Sequence, residues 1–344
     1  MLATTKRKLA IGGGVAALAL IAFLFLVSDV GGLKSVLGGP EKCPLSGTEP
    51  RHEDLLARPA VAVKVENNPV AYPLSGLEDA EVVYEELVEG GLTRFLAVFH
   101  CSDSKKVGPI RSARAVDPAI ISPITKILGA AGANDIVNGI LDEAGIVVVN
   151  ENDGIKAMRR EERVGVSGEH TLYASTKGVR NVGKKRYDDT PTEDLFGFGD
   201  LPEKSKPVRS VTISFSGGST ISYEWSGERW LRSERDEPFM TESGQIAVDN
   251  VLIEEHQIDL STTIFDVVGN PSPEIVDVTG SGRAVLFRDG RVIRGRWSRD
   301  SEDDPVSFET AAGEEMLFKE GSIWVELVPS KKGDVKGSFS SSRR

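Results

Sequence analysis

Two arginines stand three residues apart in the stretch KVGPIRSARAVD, residues 106 to 117. If the segment after Pro109 is helical, Arg111 and Arg114 share one face of that helix, and Pro109 fits its first turn. The planar guanidinium fork suits carboxylate and phosphate oxygens, and a helix N-terminus adds backbone donors for an anion. Together with the hydroxyl of Ser112, this stretch predicts a site for an anionic ligand.

Charged residues just upstream extend the candidate site. The EGG sequence after Glu85 predicts a tight turn between two strands, which brings Glu89 close to Arg94. Internal ion pairs are the competing interpretation, because buried arginines commonly pair with glutamates and Glu85 and Glu89 supply the charge for two. The predicted ligand-binding residues are Asn67, Glu85, Glu89, Arg94, Arg111, Ser112 and Arg114.

Sequence signatures of catalysis are absent. There is no GxSxG, GxxxxGK[ST] or HExxH pattern, so we expect no metal and no cofactor. The histidines are scattered, at His52, His100, His170 and His256. Asp117, His170 and Glu89 are weak candidates for acid–base roles, against a helix-face aspartate and a loop histidine as the plainer interpretations. We favour binding over catalysis.

Composition and charge exclude some partners. The 344 residues, 40% of them apolar, suffice for about two globular domains with sizeable cores. The formal net charge of −11 repels a polyanion, so we expect no nucleic acid partner. The tryptophans fall in strand-like runs and are interpreted as core residues rather than a sugar platform: Trp225, Trp230, Trp297 and Trp324.

The N-terminus predicts a membrane segment. A basic flank, residues 1 to 8, precedes an uncharged apolar run over residues 9 to 27. In a helix this run spans roughly 28 Å, about the hydrocarbon thickness of a bilayer. The basic flank favours the cytoplasmic side, which places the rest of the chain outside a bacterial cell membrane. We favour an uncleaved single-pass signal anchor; the alternative is secretion after signal cleavage.

The chain contains two cysteines, Cys43 and Cys101. An even number in an exported protein permits one disulfide, and both cysteines flank strand-like segments of one predicted domain. We predict a Cys43–Cys101 bridge, with two free thiols as the alternative. Cys43 lies too far beyond the apolar run for the lipid-modified cysteine of a lipoprotein.

The remaining pattern divides the chain into a stalk, two domains and a tail. Residues 28 to 57, rich in Gly, Pro and charge, predict the stalk. Strand-like and helical runs alternate over 58 to 200 and predict a mixed α/β domain, including helical periodicity over 115 to 132. Short period-2 runs over 208 to 329 predict a mainly antiparallel all-β domain. The polar tail, 330 to 344, is predicted to be disordered. The fold class is therefore α+β, with an N-terminal transmembrane helix.

A long string in the first domain resembles a bacterial family. RPAVAVKVENNPVAYPLSGLEDAEVVYEELVEGGLTRFLAVF (58 to 99), followed by VGPIRSAR, is similar to the N-terminal domain of the YerB-like exported proteins. EHTLYAST (169 to 176) and GSGRAVLFRDGRVIRGRWSR (280 to 299) resemble later segments of that family. The resemblance implies a membrane-anchored protein or lipoprotein with two domains and no known activity. Tyr72-Pro73-Leu74, Glu169 and Thr171 depart from the family's pattern.

Three functions fit these observations. We favour a membrane-anchored extracytoplasmic protein that binds an anionic envelope ligand or a protein partner through an arginine-containing cleft. An alternative is an envelope enzyme acting on a phosphate- or carboxylate-bearing lipid or glycan, with the arginines as an anion clamp. A further alternative is a structural subunit of an envelope complex.

Overall fold

Strands in the first half of the chain follow the apolar runs of the sequence. The computed structural model describes residues 41 to 343 apart from 194, 204 and 218. The first-half strands are β1 (Val61–Asn67), β2 (Val82–Leu87), β3 (Thr93–Phe99), β4 (Ile127–Gly129), β5 (Val147–Val149), β6 (Met158–Arg160) and β7 (Leu172–Ala174). β1 is buried along its whole length.

The second half of the chain is built from strands, as its period-2 pattern predicts. They are β8 (Lys206–Pro207), β9 (Ser210–Ser216), β10 (Ser219–Trp225), β11 (Trp230–Glu234), β12 (Glu237–Pro238), β13 (Met240–Thr241), β14 (Gly244–Gln245), β15 (Ala247–Val248), β16 (Asn250–His256), β17 (Ile258–Phe265), β18 (Pro271–Ile275), β19 (Gly280–Arg288), β20 (Arg291–Arg299), β21 (Ser307–Thr310), β22 (Ile323–Pro329) and β23 (Ser338–Ser342).

The α-helices of the described chain are short. They are α1 (Asp117–Ile121), α2 (Asp135–Glu143) and α3 (Thr176–Gly183). The side chain of Asn134 accepts a hydrogen bond from the Val137 amide at the start of α2, and that of Ser175 accepts one from the Gly178 amide at the start of α3. Single 3₁₀ turns lie at Glu53–Leu55, Pro69–Ala71, Leu77–Asp79, Glu89–Gly91, Glu151–Asp153 and Gly168–His170.

Strands from both halves of the chain join one large sheet. Its order is β21-β20-β19-β16-β22-β2-β3-β1-β4-β5, with β8 added beside β20. β2 pairs in parallel with β22 and antiparallel with β3. A second sheet has the order β12-β11-β10-β9-β23, with β15 beside β11, while β17 and β18 form a separate hairpin. Because of the β2–β22 pairing, residues 42 to 344 form one compact unit.

The two faces of the large sheet bury different cores. One core lies between the large and the second sheet and includes Val83, Phe95, Tyr223, Trp230 and Trp324. The other lies on the opposite face, beneath α1 and α2, with Leu96 and Trp297 among its members. Trp230, Trp297 and Trp324 are therefore core residues, as their strand positions predict.

Three local predictions are wrong. The helical run over 115 to 132 yields only α1, because residues after Pro123 form β4, which is buried in parallel pairing between β1 and β5. The predicted stalk ends earlier than residue 57, since Cys43 and Leu45 are already buried. The tail expected to be disordered contains β23, which pairs with β9. Long-range strand pairing overrides the local pattern at β4 and β23.

The described part of the chain is mostly β with few helices, and it holds no helix long and apolar enough to cross a membrane. The predicted anchor at residues 9 to 27 lies outside the described residues. Cys43 and Cys101, the pair expected from the sequence, are joined in a disulfide with an S–S distance of 2.18 Å. The bridge ties the start of the described chain to the end of β3.

A buried charged cluster joins the two sheets. Arg232 on β11 donates hydrogen bonds of 3.1 and 2.9 Å to the two carboxylate oxygens of Glu85 on β2, and Glu234 lies 3.2 Å away. The Tyr223 hydroxyl donates to Glu326, which is opposite Glu85 in the β2–β22 register. Burial and the neighbouring Glu85 charge raise the pKa of Glu326 well above its usual range. One guanidinium thus compensates several carboxylates.

Replacing this guanidinium tests its contribution to stability. We expect Arg232→Met to lower the free energy of unfolding by about 3–5 kcal/mol, because it leaves buried carboxylates without their cation. Urea denaturation of the full-length chain measures the change. Arg209→Met is the matched control; it removes an exposed pair with Glu224 and should cost less than about 1 kcal/mol. Equal effects of the two substitutions would contradict the assignment.

Candidate functional site

Charged residues form a row across three neighbouring strands of the large sheet. Arg94 of β3 lies opposite both Glu66 of β1 and Glu86 of β2. Because side chains alternate between faces along a strand, Lys64 and Tyr84 point to the same side as these three residues. We call this side, at this end of the sheet, the charged face.

The arginine stretch crosses the charged face in a non-helical conformation. The Arg111 amide donates a 3.0 Å hydrogen bond to the Lys64 carbonyl, and the Arg111 carbonyl accepts one of 3.0 Å from the Ala131 amide. The prediction that Arg111 and Arg114 share a helix face is therefore wrong, and α1 begins only at Asp117. Backbone hydrogen bonds to the neighbouring segments on both sides of Arg111 replace the predicted helical turn.

Arg111 belongs to a chain of ionic contacts that includes a histidine. Its Nε lies 3.4 Å from a carboxylate oxygen of Glu66, and its Nη1 donates to the Glu169 carbonyl at 3.2 Å. The other oxygen of Glu66 lies 2.7 Å from Nδ1 of His170, which is buried. Arg111 and His170 thus share Glu66 as their partner.

Arg114 links the first half of the chain to the β17–β18 hairpin. Its Nη2 donates to the Glu89 carboxylate and to the hydroxyl of Ser272 on β18. Its backbone amide donates a 2.7 Å hydrogen bond to Asp117. The predicted Glu89–arginine pairing is present, with Arg114 as the partner.

Arg94 lies between these two arginines and differs from both. Its Nη1 donates a 3.1 Å hydrogen bond to the Ser112 carbonyl, and it forms no ion pair with a carboxylate of the described residues. Burial lowers the pKa of Arg94 to about 10, and the positive charges of Arg114 and Arg111 add to this effect. An anion bound next to Arg94 would offset both the cost of its burial and the repulsion from Arg111 and Arg114.

A buried lysine and two acids lie next to Arg94. Lys64 is fully buried and donates to Glu86 and, at 2.6 Å, to Asp117. Burial raises the pKa of Glu86; Lys64 opposes this rise and Asp117 reinforces it. The buried Oε2 of Glu86 has no hydrogen-bond partner among the described residues. A neutral Glu86 carboxyl would carry a proton that it could donate to a ligand oxygen.

The structure gathers most of the predicted site residues and separates two. Those on the charged face are Arg94, Arg111, Ser112, Arg114, Glu89, Asp117 and His170. Asn67 and Glu85 instead face the second sheet, where Asn67 donates to Thr93 and Glu85 pairs with Arg232. Side chains alternate between the two faces along β1 and β2, and Asn67 and Glu85 are each one position away from a residue of the charged face. This alternation explains why they are separated from the other predicted residues.

A cleft of about 290 Å³ opens beside Arg114. One wall carries Glu86, Arg114, Ala115, Val116 and Ala119, and the other is formed by the β17–β18 hairpin and residues up to Val278. We call it the arginine cleft. Of the three arginines on the charged face, Arg114 lines this cleft, together with the carboxylates of Glu86, Glu274 and Glu302.

A second group of ionisable residues lies on the same sheet face, on β16. His256 is held between Asp277 and Glu254, each at 3.2 Å, and stacks on Trp297 with ring centroids 4.6 Å apart. Burial disfavours the charged imidazolium, but the hydrogen bonds with Asp277 and Glu254 outweigh it and raise the pKa of His256 to about 9. His256 is therefore a buried cation at neutral pH.

Comparisons with known proteins identify the family of the chain. Two family models match, described as "Protein of unknown function (DUF3048)": the N-terminal domain over residues 45–189 and the C-terminal domain over residues 211–325. The chain belongs to this family, and the resemblance read from the sequence is confirmed.

Individual relatives support the same assignment. "Putative lipoprotein YerB" of Bacillus subtilis (strain 168) is 28% identical over 309 residues, which cover 84% of this chain and 86% of that protein. The crystal structure of YerB from Bacillus subtilis has a TM-score of 0.70 at 23% identity, covering 87% of this chain and 99% of that one, and shows the same fold. A further match, the DNA-directed RNA polymerase subunit beta of Oleidesulfovibrio alaskensis, is 26% identical over 15% of that subunit's length.

The sequence predictions missed several residues of the charged face. Lys64 interrupts an apolar run over residues 61 to 65, and a charge in such a run signals a buried ion pair. Glu66 follows from strand alternation once the sheet face is known. His256 gives no signal in the sequence, because its partners Glu254 and Asp277 become neighbours only through the fold.

The pKa of His256 predicts a pH-dependent stability. It is higher in the folded protein, about 9, than the ordinary 6.5, so its contribution is fully present below pH 6.5 and is lost as the pH rises through 9. The shift corresponds to about 3 kcal/mol. We expect His256→Gln to flatten the fall in unfolding free energy between pH 6.5 and 9, measured by urea denaturation. The exposed His52→Gln is the control, and an equal slope in all three proteins would refute the assignment.

Proposed function

We propose that this protein binds an anionic ligand in the arginine cleft, at the outer side of the bacterial envelope. The observation that carries the proposal is Arg94, which lies close to Arg114 of the cleft wall without lining the cleft itself. Its guanidinium donates to the Ser112 carbonyl and forms no ion pair with a carboxylate of the described residues. Arg111 and Arg114 have carboxylate partners, which a strong anion would share or displace. Burial raises the pKa of Glu86 and so works against its carboxylate charge beside the arginines.

The envelope location rests on the chain's N-terminus and on the name of its relative. The related Bacillus protein is named a lipoprotein. In this chain both cysteines are joined in the disulfide, so neither is available for lipid attachment. We therefore propose that the apolar run at residues 9 to 27 supplies the membrane anchor instead.

Binding of inorganic phosphate tests the proposal. We expect the full-length chain in nanodiscs of neutral lipid to bind phosphate or pyrophosphate, with a rise in Tm and measurable calorimetric heat. Arg94→Gln and Arg114→Gln should each weaken binding by about 10- to 100-fold, since a charge-assisted hydrogen bond contributes about 1.5–3 kcal/mol. Arg209→Gln, at an exposed ion pair, should bind like the wild type. Absence of binding at millimolar phosphate would reject the proposal.

Catalysis is the second candidate, and Glu86 is the observation in its favour. Its raised pKa and unpartnered Oε2 would suit a general acid, although its Oε1 accepts from Lys64. Asp117, His170 and Glu89 are also engaged in ion pairs. If the site hydrolyses phosphate monoesters, p-nitrophenyl phosphate should be turned over and Glu86→Gln should abolish it. Glu78→Gln, an exposed site, is the control. Binding of phosphate without turnover would reject catalysis and retain the binding function.

A further inference from the structure

An apolar chamber adjoins the arginine cleft. It measures about 60 Å³ and shares four lining residues with the cleft: Val116, Ala119, Ile275 and Val278. The shared lining residues place the two spaces next to each other. The rest of the chamber is mostly apolar, including Ile120, Ile124, Leu195, Phe196, Val306 and Phe308.

The chamber and the cationic site lie on the same face of one sheet. Tyr84 lines the chamber and stands two positions before Glu86 on β2, so both side chains point to the charged face. Across the sheet, Leu327 of β22 and His256 of β16 also line the chamber. A ligand lying along this face would therefore meet charge at one end and apolar surface at the other.

The polar atoms at the chamber wall are largely engaged. His256 is held by Asp277 and Glu254, and Arg299 donates to the carbonyls of Glu302 and Asp304. These contacts leave mainly apolar surface for an occupant, in contrast with the arginine cleft. An aliphatic group gains free energy in such a space in proportion to the area that it buries.

Resting on the binding function proposed above, we propose that the anion is amphiphilic: a phosphate ester whose head lies at Arg114 in the cleft and whose apolar chain enters the chamber. Arg114 is the cation that lines the cleft, and it fixes the end at which the head lies. The 60 Å³ of the chamber exceed several-fold the roughly 10–15 Å³ needed to hold one water-sized group. The chain portion inside the chamber is therefore short.

The wall opposite α1 also suits a ligand with an apolar part. The β17–β18 hairpin contributes Ile258, Pro273 and Ile275 to the cleft. Beyond the cleft, the same hairpin exposes Phe265 (48%) and Val267 (103%). The same hairpin thus carries apolar side chains both at the cleft and at the protein surface.

A series of alkyl phosphates tests the proposal on the full-length chain in neutral-lipid nanodiscs. Calorimetric Kd values are measured for inorganic, methyl, butyl and hexyl phosphate, all soluble without micelles. We expect binding to tighten by up to about fourfold per buried methylene, until the chamber is filled. Arg114→Gln should weaken every member of the series.

Substitutions at the shared wall identify where the chain lies. Val278→Phe, at a partly exposed position, should narrow the passage and reduce hexyl phosphate binding to the level of inorganic phosphate, which itself should be unchanged. Ala119→Phe narrows it from α1, and Val267→Phe at the exposed hairpin tip is the control that should retain the full chain-length effect. Far-UV circular dichroism checks the fold of each variant.

Each outcome decides between the two proposals. Phosphate binding with no dependence on chain length in the wild type overturns the amphiphilic ligand and leaves the anion site intact. A chain-length effect that persists in both Val278→Phe and Ala119→Phe places the chain elsewhere and also overturns it. Failure of every phosphate to bind rejects the anion site itself.

Discussion

The parallel pairing of β2 with β22 is the constraint on which the rest of the structure depends. It joins a strand from residue 82 to one from residue 323 and fuses both halves of the chain into one sheet. The register also assigns faces, because a shift by one residue would exchange every side chain between them. Glu85 and Glu326 consequently face the second sheet, while Tyr84 and Glu86 face α1. The charged cluster between the sheets and the candidate ligand site are two sides of the same strand.

The two clusters differ in how completely their buried charges are compensated. Arg232 is fully buried and bonded to both oxygens of Glu85, with Glu234 close by, so its charge is compensated within the protein. Such a network favours one packing arrangement of the sheets, because loss of either partner leaves a buried charge without a counterion. Arg94 donates to the Ser112 carbonyl, has no carboxylate partner among the described residues, and has a depressed pKa. Its charge is therefore less well compensated than that of Arg232, which is the physical basis of the proposed anion site.

Local sequence patterns predicted the elements whose determinants are local. β1, β2 and β3 follow their apolar runs, and α3 begins at the Ser175 cap. β4 and β23 could not be predicted this way, because each depends on pairing with a strand distant in sequence. The candidate site shows the same difference between local and long-range determinants. Arg111 and Arg114 were included in the predicted site because they are close in sequence. Asn67 and Glu85 were assigned to the site because the sequence does not show which face of the sheet they occupy. Lys64 and His256 were missed because their partners come from remote segments.

The arginine cleft and the apolar chamber influence each other through the dielectric environment. Apolar walls such as Val116 and Ala119 exclude water next to Arg114, and the interaction of a guanidinium with an anion strengthens as the local dielectric falls. Burial likewise raises the cost of leaving Arg94 without an anion, which its depressed pKa reflects. The Arg114 contact with Ser272 joins one wall of the cleft to the β17–β18 hairpin, so a head group that took over this guanidinium would replace that contact. In the proposed binding mode, affinity and access therefore depend on the same contact between the two halves of the chain.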